Sequence, residues 1–406
     1  MRKKIVRLLI VSLLCCGLLL SGGPAAAEGE DTAALTSEAS ALRYKLSGLK
    51  GSTKALSDGK QGNYVKVPAG AELTLTALEK IFSLYILWDA APLGWELTAE
   101  GETVECGNLG RRHEYVALPQ PSETVTIRLS DKGSIRINEI YAFGEGDPPD
   151  WVQVWDSPCR RADILVIPTH ADDEFIFFGG LLPYYAGELG LQVQVMYMTN
   201  HQLSERVRNH ELLNGLWTAG VRHYPVINNA LDLFFEDRDA AEVSYYDAFL
   251  RAQVRSIRRF QPLVIVGHAV NGEYGHQAHI QNALCLQEAV KLASDPEYDP
   301  DSARRYGLWD TPKVYLHLFG AEKDRTVLDY ETPLEAFGGK TAFEVAREAY
   351  RCHTSQHKYN FQVYGFGSPY DSHSFGLYRS LVGPDVRKND LMENIDPARW
   401  RGESNG

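Results

Sequence analysis

Cysteine is scarce in this chain, six in 406 residues, and two of those, Cys15 and Cys16, sit together in an apolar N-terminal run. The other four, Cys106, Cys159, Cys285 and Cys352, form no C-x-x-C pair, which argues against a thiolate zinc site. Cationic runs are lacking as well. Lys and Arg number 41 against 53 Asp and Glu, for a formal net charge of −12. With no basic stripe to neutralise phosphates, nucleic acid is not an expected partner. After the N-terminal run no stretch reaches the roughly 20 apolar residues of a membrane helix. A Gly-x-Ser-x-Gly elbow is absent, which removes the usual serine hydrolase. There are no internal repeats or low-complexity tracts, and 44 % hydrophobic with 23 % charged residues excludes wholesale disorder.

The length exceeds what one core ordinarily serves, so two domains are expected. At the N-terminus Arg2, Lys3, Lys4 and Arg7 precede an apolar run from Leu8 to Leu20, and Ala25-Ala26-Ala27 offers a cleavage site. This pattern predicts a secretory signal over 1–27 rather than an uncleaved anchor, because the run is short for a bilayer. No small residue directly precedes Cys15 or Cys16, which sets a lipoprotein aside. Cleavage after Ala27 removes four cations and takes the formal charge from −12 to −16. The mature chain is then expected to be secreted or at the cell surface. Disulfides form in such compartments, and Cys106 with Cys159 is one available pairing.

A polar lead reaches Thr36. From there to Asp147 the pattern is β: apolar residues alternate at Val125, Ile127 and Leu129 and at Ile135 and Ile137. Turn signals at Ser57-Asp58-Gly59, Pro68-Ala69-Gly70 and Asp131-Lys132-Gly133 divide it. A small antiparallel sandwich over 37–147 follows. The stretch Gly144–Asp150 reads as a linker. Over 158–400 strands alternate with helices: strands at Ile164–Ile167, Val193–Met198, Leu263–Gly267 and Val314–Leu318, helices near Gly179–Gly187, Arg206–Ala219 and Ile280–Leu292. That alternation predicts an α/β domain with a doubly wound, mostly parallel sheet.

Two clusters carry chemistry. The first strand runs into Thr169-His170-Ala171-Asp172-Asp173-Glu174, beyond a carboxyl end where open parallel sheets place their sites. Three acids beside a histidine are costly unless a positive charge sits among them, and a divalent metal is the simplest one. His170 and Asp173 offer one nitrogen and one oxygen ligand. Asp172 remains as an unligated carboxylate, placed as a hydrolase places its base. Taken alone, the motif reads equally well as an acidic turn capping a helix. The second cluster begins at Gly267-His268, continues through Asn271-Gly272-Glu273-Tyr274-Gly275, and opens a helix with His276-Gln277-Ala278-His279. Histidines at i and i+3 share a helix face, so one can bind metal and the other can donate to a developing oxyanion. His170, Asp173 and His279 make up the three protein ligands of a catalytic zinc. His268 either lines the site or ends its strand.

These residues resemble the PIG-L/LmbE-like de-N-acetylases over about 162–281. The family's Ala-His-Pro-Asp-Asp-Glu stands here as Thr169 to Glu174, and its Gly-His-Pro-Asp-His as Gly275 to His279. Arg208 and Glu211 match an Arg-x-x-Glu, followed by Ala219-Gly220-Val221, and Asn271 to Gly275 match an Asn-Gly-x-Tyr-Gly loop. The resemblance implies a Rossmann-like fold and zinc, with iron(II) as the alternative metal. It also implies hydrolysis of N-acetyl groups on glucosamine-containing glycans or glycosides. By it His170, Asp173 and His279 are the metal ligands, Asp172 the general base and His276 the group that stabilises the tetrahedral intermediate. Arg208 would contact substrate and Tyr274 would lie over the site. Two positions depart from the pattern: Ala171 replaces a proline, and Ala278 replaces an aspartate expected to orient the site from behind.

Farther on, His353-x-Ser355-Gln356, Phe375–Arg379 and Gly383-Pro384-Asp385 resemble later family segments, with His373 near the site or in the core. The β region resembles discoidin-like, galactose-binding-type sandwiches at Leu56–Gly59, Leu84–Trp88 and Ile140–Gly144. There Tyr85, Trp88 and Trp95 either stack on sugar or, more commonly for aromatics on strands, fill the core. The expected function is an exported zinc-dependent de-N-acetylase in which Asp172 moves the proton and protonated His276 holds the oxyanion. The rival expectations are a carbohydrate-binding protein with a decayed site and a metal-dependent amidase or esterase on a non-sugar substrate. The oligomeric state is left open.

Overall fold

Alternation explains the first half of the chain, and its interruption explains the shape. In the 17-residue strand Glu72–Trp88, Leu73, Leu75 and Ala77 are buried in turn, the alternation lapses at Leu78–Lys80, and burial resumes at Ile81. Pairing with the equally long strand His113–Leu129 shifts register across that same interval, as at a bulge. Before the shift, Glu72–Trp88 has Tyr44–Ser47 as its second neighbour; after it, Ile135–Phe143. Trp95–Ala99 and Glu102–Cys106 continue the first layer. Every pairing in this eight-stranded unit is antiparallel. Both layers contribute to one apolar core, including Leu75, Leu84, Trp88, Leu97, Ile127 and Ile137.

The structure, a computed structural model, describes residues 37–401, so the expected leader over 1–27 lies outside the described residues. Among the described residues no helix is long and apolar enough to cross a membrane.

The second half is built on a seven-stranded sheet. Val226–Leu231, Val193–Asn200, Ile164–Val166, Val264–Gly267 and Lys313–His317 lie side by side and parallel. Ser374–Ser380 and Thr326–Val327 close one edge antiparallel. The central strands are buried on both faces, as parallel strands between helices must be. Ile164 and Val166 pack with Leu212, Leu216 and Ala346 on one face, Leu165 and Ile265 with Val254 and Leu286 on the other. Helix Arg208–Thr218 approaches its neighbours closely because Gly215 has no side chain: a Cβ there would stand 2.9 Å from the Phe175 ring and 3.2 Å from the Ala349 carbonyl. Among the described residues, those from Glu38 onward form a single compact unit.

Some expectations hold and others need correction. Periodicity marks no element between Gly220 and Leu263, where strand Val226–Leu231 and the 23-residue helix Arg238–Phe260 lie. The strand is a half-exposed edge carrying Asn228 and Asn229, so it lacks an apolar signature. The helical stretch expected near Gly179–Gly187 is present, and its part over Pro183–Glu188 is wound with a wider pitch than an α-helix. Cys106 and Cys159 are free thiols, both pushed up to about 12 by burial, and the pairing considered between them is not made. The core reading of Tyr85, Trp88 and Trp95 holds, since they are at most 3 % exposed.

Candidate metal centre and active site

Three neighbouring parallel strands deliver the site. Ile164–Val166 leads into His170–Glu174, Val193–Asn200 into His201, and Val264–Gly267 into His268. The adjacent strand Val226–Leu231 ends at Asp232, and helix Gln277–Leu292 brings His279. All emerge beyond strand carboxyl ends, where the sheet opens.

His170 Nδ1 lies 2.9 Å from His279 Nε2 and 3.3 Å from Asp173 Oδ2, and His279 Nε2 lies 3.2 Å from the same oxygen. Ligands on zinc at about 2.0–2.1 Å in a tetrahedron are separated by about 3.3 Å. The three donor atoms therefore already stand near the edge lengths of a tetrahedral metal site. Two wider groupings also gather donor atoms within 4.8 Å: His170, His276 and His279, and Asp173, His268 and His279. His268 has both nitrogens engaged, Nε2 accepting from the Thr169 N–H at 3.1 Å and Nδ1 bonded to Glu273 at 3.0 Å. It supports the site from below and does not open into it.

The charges interlock. Burial would lower the His170 imidazole, but Asp173 and Asp232 raise it to about 10. Burial opposes ionisation of Asp173, yet His279, His268 and His170 hold its carboxyl well below the usual range. This is a centre organised around a positive charge. Behind Asp173 the fully buried chain continues from His268 to Glu273 and from Glu273 Oε2 to His317 Nδ1 at 2.7 Å.

Asp172 sits at the rim with φ 119° and ψ −29°, a region an L-residue occupies only when its surroundings impose it. Two groups impose it. Its N–H donates to Glu174 Oε2 at 2.8 Å, and Arg208 Nη2 donates to the Ala171 carbonyl at 2.6 Å while standing 3.3 Å from Asp172 Oδ1. Burial raises the Asp172 carboxyl to about 7 against the pull of Arg208. His353 lies 3.1 Å from the buried Glu174. Glu211 accepts from the Thr354 hydroxyl, the Ser355 N–H and the Ser355 hydroxyl, so it holds the 353–356 segment in place.

A cavity of about 380 Å³ opens over these residues, lined by His170, Asp172, Asp173, Arg208, Tyr274 and His276 together with Asp232, Glu205 and Phe234. All seven expected site residues are thus brought together, His279 as the floor beneath the cavity. Tyr274 is 45 % exposed, its ring 5.8 Å from those of His276 and His279. His276 Nδ1 has no partner among the described residues. Burial, with His170 and His279 nearby, lowers its imidazole to about 3. His373 packs on Tyr330 and Phe343 away from this cavity, and Asp385 binds Lys313 at 2.6 Å beneath the sheet.

Asp232 and His201 were not among the expected residues. Asp232 Oδ1 lies 3.2 Å from His170 Nε2, and Oδ2 lies 3.2 Å from His201 Nδ1. The Ala171 N–H approaches His201 Nε2 at 3.4 Å, a contact a proline could not make. The departure at Ala171 therefore coincides with a histidine that uses its N–H. Ala278 is 1 % exposed and packs in the core. His201 could have been found from its place directly after the apolar strand Val193–Asn200, whereas the strand before Asp232 has no apolar signature to mark it.

Residues 165–290 match the family model described as PIG-L: GlcNAc-PI de-N-acetylase. The chain is 28 % identical over 188 residues to the 1D-myo-inositol 2-acetamido-2-deoxy-alpha-D-glucopyranoside deacetylase 1 of Catenulispora acidiphila, covering 39 % of this chain and 56 % of that protein. It is 30 % identical over 177 residues to deacetylase 2 of the same description from Saccharopolyspora erythraea, covering 37 % and 63 %. It thus spans less than two thirds of these curated relatives. Among solved structures, N,N'-diacetylchitobiose deacetylase from Pyrococcus horikoshii aligns with TM-score 0.38 and 19 % identity over 49 % of this chain and 72 % of that one.

Proposed function

We propose that this chain is an exported, metal-dependent hydrolase that removes N-acetyl groups from N-acetylglucosamine-containing glycans or glycosides. The observation that carries the reading is the set of three donor atoms on His170, Asp173 and His279, 2.9–3.3 Å apart, beside the carboxyl of Asp172. The matched family model and the names of the curated relatives support the same chemistry. The fold that belongs to this reading is Rossmann-like over 158–400, with a discoidin-like sandwich over 37–147 and a cleaved leader over 1–27.

His170, Asp173 and His279 would hold the cation. Two nitrogens and one oxygen suit zinc, with iron(II) as the alternative. When bound, the metal supplies Lewis-acid polarisation and an acidified water. Asp172, held at the rim by Arg208 and Glu174, accepts the proton of the attacking water and passes it to the departing amine. A C–O bond forms, the C–N bond breaks, and acetate and a free amino sugar leave. His276 faces the same cavity as a neutral imidazole and donates one N–H to the developing oxyanion. Arg208 and Tyr274 line the sugar's side of the cavity.

The test is acetate release by the full chain, loaded with zinc, from N-acetylglucosamine oligomers and glycosides, with Asp172→Asn alongside. Turnover should fall by about 10²–10⁴-fold in the variant while bound metal is unchanged. One tightly bound metal with no acetate from any amino sugar would sink the reading.

A further inference from the structure

A second cavity, of about 470 Å³, opens on the β-unit. Four of its lining residues are cationic, Lys66, Lys132, Arg136 and Arg206, in a chain whose formal charge is −12. Its lining carboxylate, Asp89, is 5 % exposed and committed: Oδ2 lies 2.8 Å from Arg206 Nη1 and 3.4 Å from Arg136 Nη1. It therefore positions two guanidinium groups and leaves the cavity with a net positive charge. Arg136 is fixed from another side by Tyr64, 4.6 Å beneath its guanidinium carbon. Asp131, beside Lys132, turns to Arg128 at 3.6 Å instead.

The position of this cavity matters as much as its charge. Ser204, Glu205 and Arg208 line the metal-site cavity, while Arg206, between them, lines the second one. Glu205 is drawn to Gln356 and Lys358 on one side, and Arg206 to Asp89 on the other. One short stretch of chain, from Ser204 to Arg208, therefore contributes side chains to both cavities.

We propose that the cationic cavity is an oxyanion subsite, and that the substrate is an acid-bearing glycan whose N-acetyl sugar enters the metal-site cavity while a carboxylate or phosphate group farther along is held by Arg136, Arg206, Lys66 and Lys132. Prearranged guanidinium forks suit both kinds of oxyanion. The substrate assignment rests on the deacetylase reading; the subsite itself does not.

The experiment uses the full chain and two oligosaccharides of equal length, one of N-acetylglucosamine alone and one alternating N-acetylglucosamine with glucuronate. KM for acetate release should be about fivefold lower for the acidic oligomer at low salt, the scale of one charge-assisted contact, and the gap should close as salt rises. In Lys66→Glu/Lys132→Glu, whose substituted side chains are exposed, the ratio of the two KM values should approach one. Equal KM values in the parent chain, or a preference that survives the double variant, would overturn the proposal. Calorimetry with a galacturonate trisaccharide, which carries carboxylates and no acetamide, and with inorganic phosphate reads the subsite without turnover. Binding of either, lost in the double variant, supports the subsite and tells carboxylate from phosphate, even if no sugar is deacetylated. Binding of neither overturns it.

Discussion

His170 Nε2 and Asp232 Oδ1 lie 3.2 Å apart, while the other nitrogen of the same ring, Nδ1, faces Asp173 and His279. The carboxylate thus stands behind a candidate ligand, where it fixes the ring's orientation and raises its basicity. Asp232→Asn should weaken zinc binding by about 10–100-fold, measured by chelator competition. Unchanged affinity would show that Asp232 acts elsewhere.

Ala171 and His201 offer a sharper test of the same network. Ala171→Pro removes the N–H that faces His201 and should cost about 0.5–1.5 kcal/mol, the net worth of one hydrogen bond. His201→Asn should lose the same contact from the other side. In a double-mutant cycle the two losses should fall short of additivity by at least about 0.5 kcal/mol. Strict additivity would mean that the alanine and the histidine are independent.

Gly215→Ala sets two effects against each other. Alanine favours the helix by about 1 kcal/mol, but its Cβ would meet the Phe175 ring and the Ala349 carbonyl at 2.9 and 3.2 Å. Overpacking of this kind costs about 1–3 kcal/mol, and a backbone carbonyl yields little. The variant should melt below the parent chain; a higher melting temperature would show that the helix can move outward.

His113 and His210 join the β-unit to helix Arg208–Thr218, with Nε2 and Nδ1 2.8 Å apart and both rings buried. Gln153 and the Tyr85 hydroxyl hold the far side of His113, at 2.7 and 3.0 Å. Burial lowers His113 to about 3, helped by Arg112, and holds His210 well below its ordinary 6.5. The unfolded chain therefore takes up protons first as pH falls below 6.5, and stability is lost downward from there toward 3. Each group contributes about 1.4 kcal/mol per pH unit within that window. Denaturant unfolding at pH 7.5 and 5.5 should show a smaller acid loss in His113→Gln than in the parent; equal losses would place the pH dependence in other groups.

The candidate site was legible where it is local. Thr169–Glu174 and His276–His279 are short motifs close after strands, so the expected ligands and Asp172 could be named from them, while Arg208 and Tyr274 were named by the family resemblance. The strands themselves were readable because a strand buried on both faces must be apolar throughout, as Ile164–Val166 and Val264–Gly267 are. The lowering of the His276 imidazole was not readable, since it depends on burial and on the two histidines packed around it.

By itself, the sequence determined the alternation of strands and helices and the antiparallel character of the first half, because burial periodicity and turn chemistry are written within a few neighbouring positions, and its short motifs marked most residues of the candidate site. Only the tertiary structure decided that Asp232 faces His170, that His201 takes the Ala171 N–H, and that Arg206 leaves the site's own loop to join Asp89 of the β-unit. Those contacts join residues about 30 to more than 100 positions apart. They follow from the order in which strands pair within a sheet and from how two cores pack, and no local pattern of side chains records either.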